Sequence, residues 1–235
     1  MKKNLILFFL VCIGIHAIGQ TIINDPNAEL RTVSSFDAIE VSGGIDLFIS
    51  QGDEEAMAVS ASNSSQRDAI KSTVQDGVLK ISYGNDGKMW VSGNKKLRAY
   101  VSFKSLVRLK ASHGSDVTIS GVLKSDEFSI ELIGASDLKG KLEANKLNIE
   151  QAGASDAKVS GEVTELFINA SGASNFQGYD LHSELCTVNA SGASDVRITV
   201  NKELNANATG ASSVKYHGNA SIHNMKTTGG GKVRQ

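Results

Sequence analysis

The residues of this 235-residue chain whose types and spacing carry chemical meaning form a column of short oxygen-bearing side chains: Asp116, Asp137, Asp156, Asn175, Asp195 and Ser213. Stacked carboxylates beside backbone carbonyls are what a hard cation such as calcium takes, so Asp116, Asp137, Asp156 and Asp195 are the candidate metal ligands. A competing reading is mechanical: Asp, Asn and Ser all hydrogen-bond nearby backbone and hold a turn. Asn175 and Ser213 keep that ability and lose the charge, which favours the turn. No metal or cofactor is therefore assigned. The pairs Ser115-Asp116, Ser136-Asp137, Ser155-Asp156, Ser174-Asn175 and Ser194-Asp195 are read as a structural turn ladder.

Electrostatics bears on the same choice. Strands in register lie roughly 4.8 Å apart. Carboxylates stacked at that spacing repel by about 0.9 kcal/mol in bulk water and about 3.5 kcal/mol at an effective dielectric of 20. Two residues after the column stand Thr118, Lys139, Lys158, Gln177, Arg197 and Lys215. The expectation is that these cations compensate Asp137, Asp156 and Asp195.

Other chemistry-bearing residues are few. Cys186 is the only cysteine after the first nineteen residues, so no disulfide is expected within residues 20–235. It falls in a column otherwise apolar, and a buried, inert thiol is expected. His113, Trp90, Tyr100 and Tyr179 break the repeat and are the candidates for a polysaccharide lyase or hydrolase reading. No acid or base pair among them makes a site, and no catalytic residue is assigned.

What positions the turn ladder is a repeat. Gly-Ala-Ser-Asp and its relatives recur so that Ser115, Ser136, Ser155, Ser174, Ser194 and Ser212 follow one another at 21, 19, 19, 20 and 18 residues. Aligned on the Asp position, apolar columns alternate with polar ones. Nine residues before it stand Val107, Phe128, Leu147, Leu166, Cys186 and Leu204; seven before stand Leu109, Ile130, Ile149, Ile168, Val188 and Ala206. Just after the corner run Val117, Leu138, Ala157, Phe176, Val196 and Val214, then Ile119, Gly140, Val159, Gly178, Ile198 and Tyr216. Period-two alternation on both sides of a small-residue corner predicts strands. Glycine corners and strands at a period of 18–21 residues predict one coil of an all-β solenoid, a β-helix. Such close stacking predicts that the corner alanines Ala154 and Ala173 occupy tight positions.

Earlier in the chain, Ile39, Val41, Leu47 and Ile49 keep the same offsets around Gly43-Gly44-Ile45-Asp46 and are read as a degenerate coil. Ser64 to Val74 is expected to form a short helical or turn-like excursion. Gly77 to Tyr83 is expected as a strand ending at the turn Gly84-Asn85-Asp86-Gly87. The alternation from Trp90 to Phe103 leads into the array.

The chain opens Met1-Lys2-Lys3, runs apolar from Leu5 to Ile15 and reaches Ala17-Ile18-Gly19, the order of a secretory signal peptide over residues 1–19. The apolar run of about eleven residues falls short of the roughly 20 that cross a bilayer as a helix. Val11 precedes Cys12 where a lipoprotein signal takes a small residue, so lipidation is not expected. The formal net charge of −1, with both signs interspersed, disfavours nucleic acid as a partner.

Phe36-Asp37-Ala38-Ile39-Glu40-Val41-Ser42-Gly43-Gly44-Ile45-Asp46, then Gln51-Gly52-Asp53, Gly77-Val78-Leu79-Lys80-Ile81, the Gly-Ala-Ser-Asp ladder and Gly229-Gly230-Gly231 resemble the family called putative auto-transporter adhesin, head GIN domain. The resemblance covers residues 34–217. An N-terminal extension over 20–33 and a tail or cap over 218–235 flank it. It implies an exported bacterial β-helix without known catalytic residues. The resulting expectation is a non-enzymatic adhesin-like or scaffold module in the periplasm, on the outer surface or outside the cell. Its outer columns, with Ser129, Asn169, Thr187, Asn189 and Asn207, would meet glycan or protein; a polysaccharide-active enzyme is the alternative.

Overall fold

The computed structural model describes residues 25–84 and 96–235. The signal-peptide stretch, the possible lipidation at Cys12, Trp90 and the turn residues Asn85 to Gly87 lie outside the described residues. Alternating apolar residues become strands almost throughout. The first part holds β1 (Glu29–Arg31), β2 (Ala38–Ser42), β3 (Asp46–Gln51), β4 (Ala56–Ser60), the short helix α1 (Ser64–Asp68), β5 (Ile70–Gln75), β6 (Val78–Tyr83), β7 (Arg98–Phe103) and β8 (Arg108–Ser112). The array follows as β9 (Val117–Gly134), β10 (Asp137–Gly153), β11 (Asp156–Ala170), β12 (Asn175–Ala190), β13 (Asp195–Gly210), β14 (Ser213–His217), β15 (Ser221–Gly229) and β16 (Lys232–Arg234). All of them belong to one hydrogen-bonded sheet wound into stacked parallel coils, the β-solenoid that the repeat predicts.

Register within the array follows the sequence columns. Leu147 pairs with Leu166, Leu166 with Cys186 and Cys186 with Leu204, while Ile149, Ile168 and Val188 align beside them. The inward columns close over one continuous core in which Phe103, Phe128 and Phe176 are fully buried. Large and small residues complement each other there. A Cβ on Gly178 would lie 2.5 Å from Cε1 of Phe176, and one on Gly140 would lie 2.4 Å from Cβ of Ile119. The absent side chains leave the room that their neighbours fill. Register shifts fall at Lys139/Lys141, Lys158/Gly161 and Gly178/His182, where coils of unequal length are brought back into step.

Val107 departs from its column. It is 49% exposed, and Leu106 is buried in its stead. The chain reaches β8 through a short link from β7, and the Val107 N–H donates to the carbonyl of Asp37, which turns the side chain outward.

The first part stacks in an order that differs from chain order. β2 and β3 form a coil directly beneath the array, with Ile39 beside Leu109 and Leu47 beside Val117. On its other side lies a coil made of the later strands β6 and β7, with Ile39 beside Leu79 and Leu47 beside Ala99. Antiparallel strands close this end: β5 on β6, β4 on β7 and β1 on β4. The excursion expected over Ser64 to Val74 is helical only over Ser64–Asp68, where the Asn63 side chain caps α1 by accepting from Gln66 N. Ile70 and Val74 are instead committed to β5, whose alternation matches a strand seated on β6. Residues 218–235 add β15 and β16 as a further layer, parallel to β13 and β14.

Candidate functional site: the corner ladder and the amide face

Each corner is built around its glycine and its serine. Gly172 adopts φ +77°, and a Cβ there would lie 2.5 Å from the carbonyl oxygen of Gly153. Only glycine permits both that backbone and that approach. The approach serves a backbone ladder in which Ala154 N–H donates to Gly134 O, Ala173 N–H to Gly153 O and Ala193 N–H to Gly172 O, each at 2.7 Å.

The serines point inward. Ser115, Ser136 and Ser155 are fully buried, and Ser174, Ser194 and Ser212 almost so. The Ser194 hydroxyl donates to the carbonyls of Ser191 and Ala170, and that of Ser212 to those of Thr209 and Ala190. Ser136 Oγ donates to Ile133 O and accepts from Ser115 N. These hydroxyls tie one coil's turn to its neighbour. Ala154 and Ala173, expected in tight positions, are exposed. The close contacts fall on the flanking glycine and serine, because alanine sits at the outward tip of the bend.

The acidic column lies just outside the serines. Asp116, Asp137 and Asp156 are exposed, while Asn175 and Asp195 are half-buried. Asp116 Oδ1 accepts the N–H of Asp137 at 3.3 Å, and Asp137 Oδ1 accepts that of Asp156 at 3.2 Å. Sequence reading missed that Asp46 extends the column; the matching offset of Ile45-Asp46 carried the signal. Burial and the Asp46 charge push Asp116 above the usual carboxylate range against the pull of the Asp137 N–H and Lys139. Asp137 is raised by burial and by its neighbours Asp116 and Asp156. Among the described residues, compensation by cations is direct only at Asp195, whose Oδ2 lies 3.3 Å from both Arg197 and Lys215. Lys139 and Lys158 make no ion pair with Asp137 or Asp156 among the described residues. They stand in register with each other on the strand, and the Asp137 carboxylate is served by the backbone N–H of Asp156 instead. No group of three or more His, Cys, Asp or Glu among the described residues is placed to hold a metal ion.

Before the corner, the outward residues of β10 to β13 make a flat face of polar columns. Glu150, Asn169, Asn189 and Asn207 stand side by side, as do Asn148, Phe167, Thr187 and Asn205. Asn189 Nδ2 donates to Asn169 Oδ1 at 2.9 Å. Glu150, Asn169, Ser171, Asn189, Ser191 and Thr209 line a shallow depression there. Half-buried Phe167 sits amid these groups with Lys146 Nζ 5.6 Å from its ring centre. Phe167 was legible as the one aromatic in an otherwise polar column, yet the repeat does not single it out.

The residues that break the repeat scatter. His113 is exposed at φ +56°, where later corners carry glycine, and its Nδ1 lies 3.0 Å from Ser112 Oγ. Tyr179 stacks on His217 with ring centres 4.1 Å apart. Tyr100 stacks on Phe48, and its hydroxyl donates to Asp25 Oδ2 at 2.9 Å. Cys186 is buried, and burial pushes its thiol pKa upward. A second depression, lined by Lys141, Glu143, Glu162, Asp180 and His182, lies where the register shifts. Lys124, 2.8 Å from Glu143, holds that carboxyl low.

The comparisons agree with this architecture. No curated protein matches the chain. A putative adhesin from Bacteroides fragilis NCTC 9343 superposes with a TM-score of 0.79 at 21% identity, over 88% of this chain and 95% of that one. A putative adhesin from Parabacteroides distasonis ATCC 8503 gives 0.71 at 18% over 88% and 95%, and a putative lipid binding protein from the same organism gives 0.66 at 20% over 88% and 96%. At these identities the likeness is one of fold. The family described as putative auto-transporter adhesin, head GIN domain matches residues 35–220, and the chain belongs to that family.

Proposed function

We propose that this protein is an exported, non-enzymatic binding module of the bacterial envelope or surface that meets a neutral glycan or a polar protein surface with its amide face. One observation carries the reading: the amide ladder of Asn169 and Asn189, continued by Asn207 and flanked by Phe167 and Thr187, offers donors and acceptors at the coil spacing on a rigid sheet. Amides and hydroxyls hydrogen-bond sugars, and an aromatic ring covers their apolar faces. The family's adhesin description supports the assignment. The leader Met1 to Gly19 supports export, with a mature start near Gln20; mass spectrometry of native material that finds acylated Cys12 or an intact leader overturns that part.

The binding face is tested on a glycan array with the full chain. The expected result is retention of one class of neutral glycan, weakened about tenfold or more in the N169A/N189A variant, as loss of two hydrogen bonds implies. Release of reducing ends from an arrayed polysaccharide would replace this reading with the enzymatic one, for which Glu143, Glu162 and His182 are the residues to substitute.

A further inference from the structure

The two ends of the solenoid differ in kind. At the β6–β7 end the core residues Leu79, Ile81, Ala99 and Val101 are at most 2% exposed, because β5, β4 and β1 run antiparallel along the edges. At the other end the core columns continue into β15, where Ile222 pairs with Leu204 and Met225 with Ala206. There they reach the surface: Ile222 is 45% and Met225 43% exposed. Every residue of β15 is exposed, and its outer edge has no strand partner among the described residues. A solenoid end with open backbone groups and surfacing core residues is a template for strand addition.

Charge selects the occupant. Residues 213–235 contain Lys215, Lys226, Lys232 and Arg234 and no Asp or Glu. A second copy meeting this end about a two-fold axis would set Lys226 and its companions against their like, which destabilises a strand pair. At the opposite end β1 and β5 also lack a strand partner on their outer edges among the described residues, but the core residues of β6 and β7 there are covered, so a head-to-tail copy would bring no core residues to meet Ile222 and Met225. A sulfated or phosphorylated glycan would answer the cations but leave the strand's outward N–H and C=O groups, Ile222 and Met225 unserved. We infer that the β15–β16 edge is a docking surface for an acidic, extended polypeptide segment of a partner protein, which adds as a strand with apolar residues over Ile222 and Met225 and carboxylates beside Lys226, Lys232 and Arg234. Lys226 follows Asn207 as the next rung of the amide column, so the two surfaces adjoin; Asn189, two rungs from Lys226, belongs to the amide ladder alone, and a substitution there separates failure of this inference from failure of the function proposed above.

The test is fluorescence anisotropy of the full chain with a labelled decapeptide of alternating Glu and Val, alongside Lys/Val and Glu/Ser decapeptides. Saturable binding of the Glu/Val peptide alone is expected. It should weaken about tenfold in K226E/K232E, since reversing rim charges costs about that much in affinity, and stay unchanged in N189A. Both substituted lysines are exposed, and an unchanged melting temperature confirms an intact fold. The proposal is overturned by absence of saturable Glu/Val binding, by undiminished binding to K226E/K232E, or by equal binding of the Glu/Ser peptide, which would mean charge alone. A dimer in light scattering that K226E/K232E alters would also overturn it, assigning the edge to a second copy.

Discussion

Asp137 Oδ1 accepts the backbone N–H of Asp156 from the adjacent coil, at 3.2 Å. One carboxylate thus serves as a rung between coils, and an amide oxygen can serve equally.

Asp137→Asn should therefore keep the melting temperature at pH 7 within about 2 °C of wild type or raise it slightly, since exposed charges contribute little. Burial, with the charges of Asp116 and Asp156, raises the folded pKa of Asp137 above its unfolded value. The folded state then holds the proton more tightly, so ionisation detracts from stability above the folded pKa and the deficit is relieved as pH falls. Melts of both proteins between pH 7 and pH 4 should show any advantage of the Asn variant shrinking on acidification.

The corner separates glycine and serine from alanine. Gly172→Ala places a Cβ against Gly153 O on a left-handed backbone, costing roughly 1–2 kcal/mol for the conformation alone. Ser174→Leu overpacks a buried site at about 1–3 kcal/mol. Ala173→Leu points outward and should leave the melt within about 2 °C of wild type. Thermal melts of the three variants check this order; a large loss from Ala173→Leu alone would reverse it.

Asp25 binds the extension to the solenoid. Its buried side chain accepts from Asn27 N and Tyr100 Oη and pairs with Arg98 at 3.4 Å. Burial pushes its carboxyl up, but hydrogen bonds from Asn27, Ser60, Tyr100 and Arg98 outweigh that and hold it below the ordinary range. A depressed folded pKa contributes stability above the unfolded value, near 4, that is lost as pH falls through the folded one. Asp25→Ala should thus lower the melting temperature at pH 7, and its difference from wild type should shrink as pH falls below the unfolded value.

Cys186 stands between Leu166 and Leu204 and is 2% exposed. Thiol reagents should label it only after denaturant is added, because both access and thiolate formation require opening of the coil. Prompt labelling of the native chain in a stopped-flow assay would contradict this register.

Removal of divalent cations should leave the fold intact, since Asp116 and Asp137 each already tie adjacent coils through a backbone N–H on Oδ1 without a cation. A chelator is expected to shift the melting temperature by less than about 2 °C, the equivalent of under 1 kcal/mol.

The sequence by itself determined the coil, because a coil is local: alternation around each Ser-Asp pair specifies which residues face inward, and one period later the same pattern supplies the neighbour. Cys186 in the core and the degenerate coil at Ile39 to Ile49 were legible on that ground. Tertiary structure decided what depends on the next layer. Ile39 fits equally between Leu79 and Leu109, and only the path of β4, α1 and β5 puts the later strands β6 and β7 on its far side. Val107 faces outward because Asp37, seventy residues earlier, takes its N–H. Serine rather than alanine fills the inside of the corner because the bend's direction in space, which alternation does not encode, turns its side chain inward, where those of Ser136, Ser194 and Ser212 bond the adjacent coil. Ile222 and Met225 keep the core pattern, and their exposure follows from what lies beyond β15, a matter of neighbours that no single strand's sequence contains.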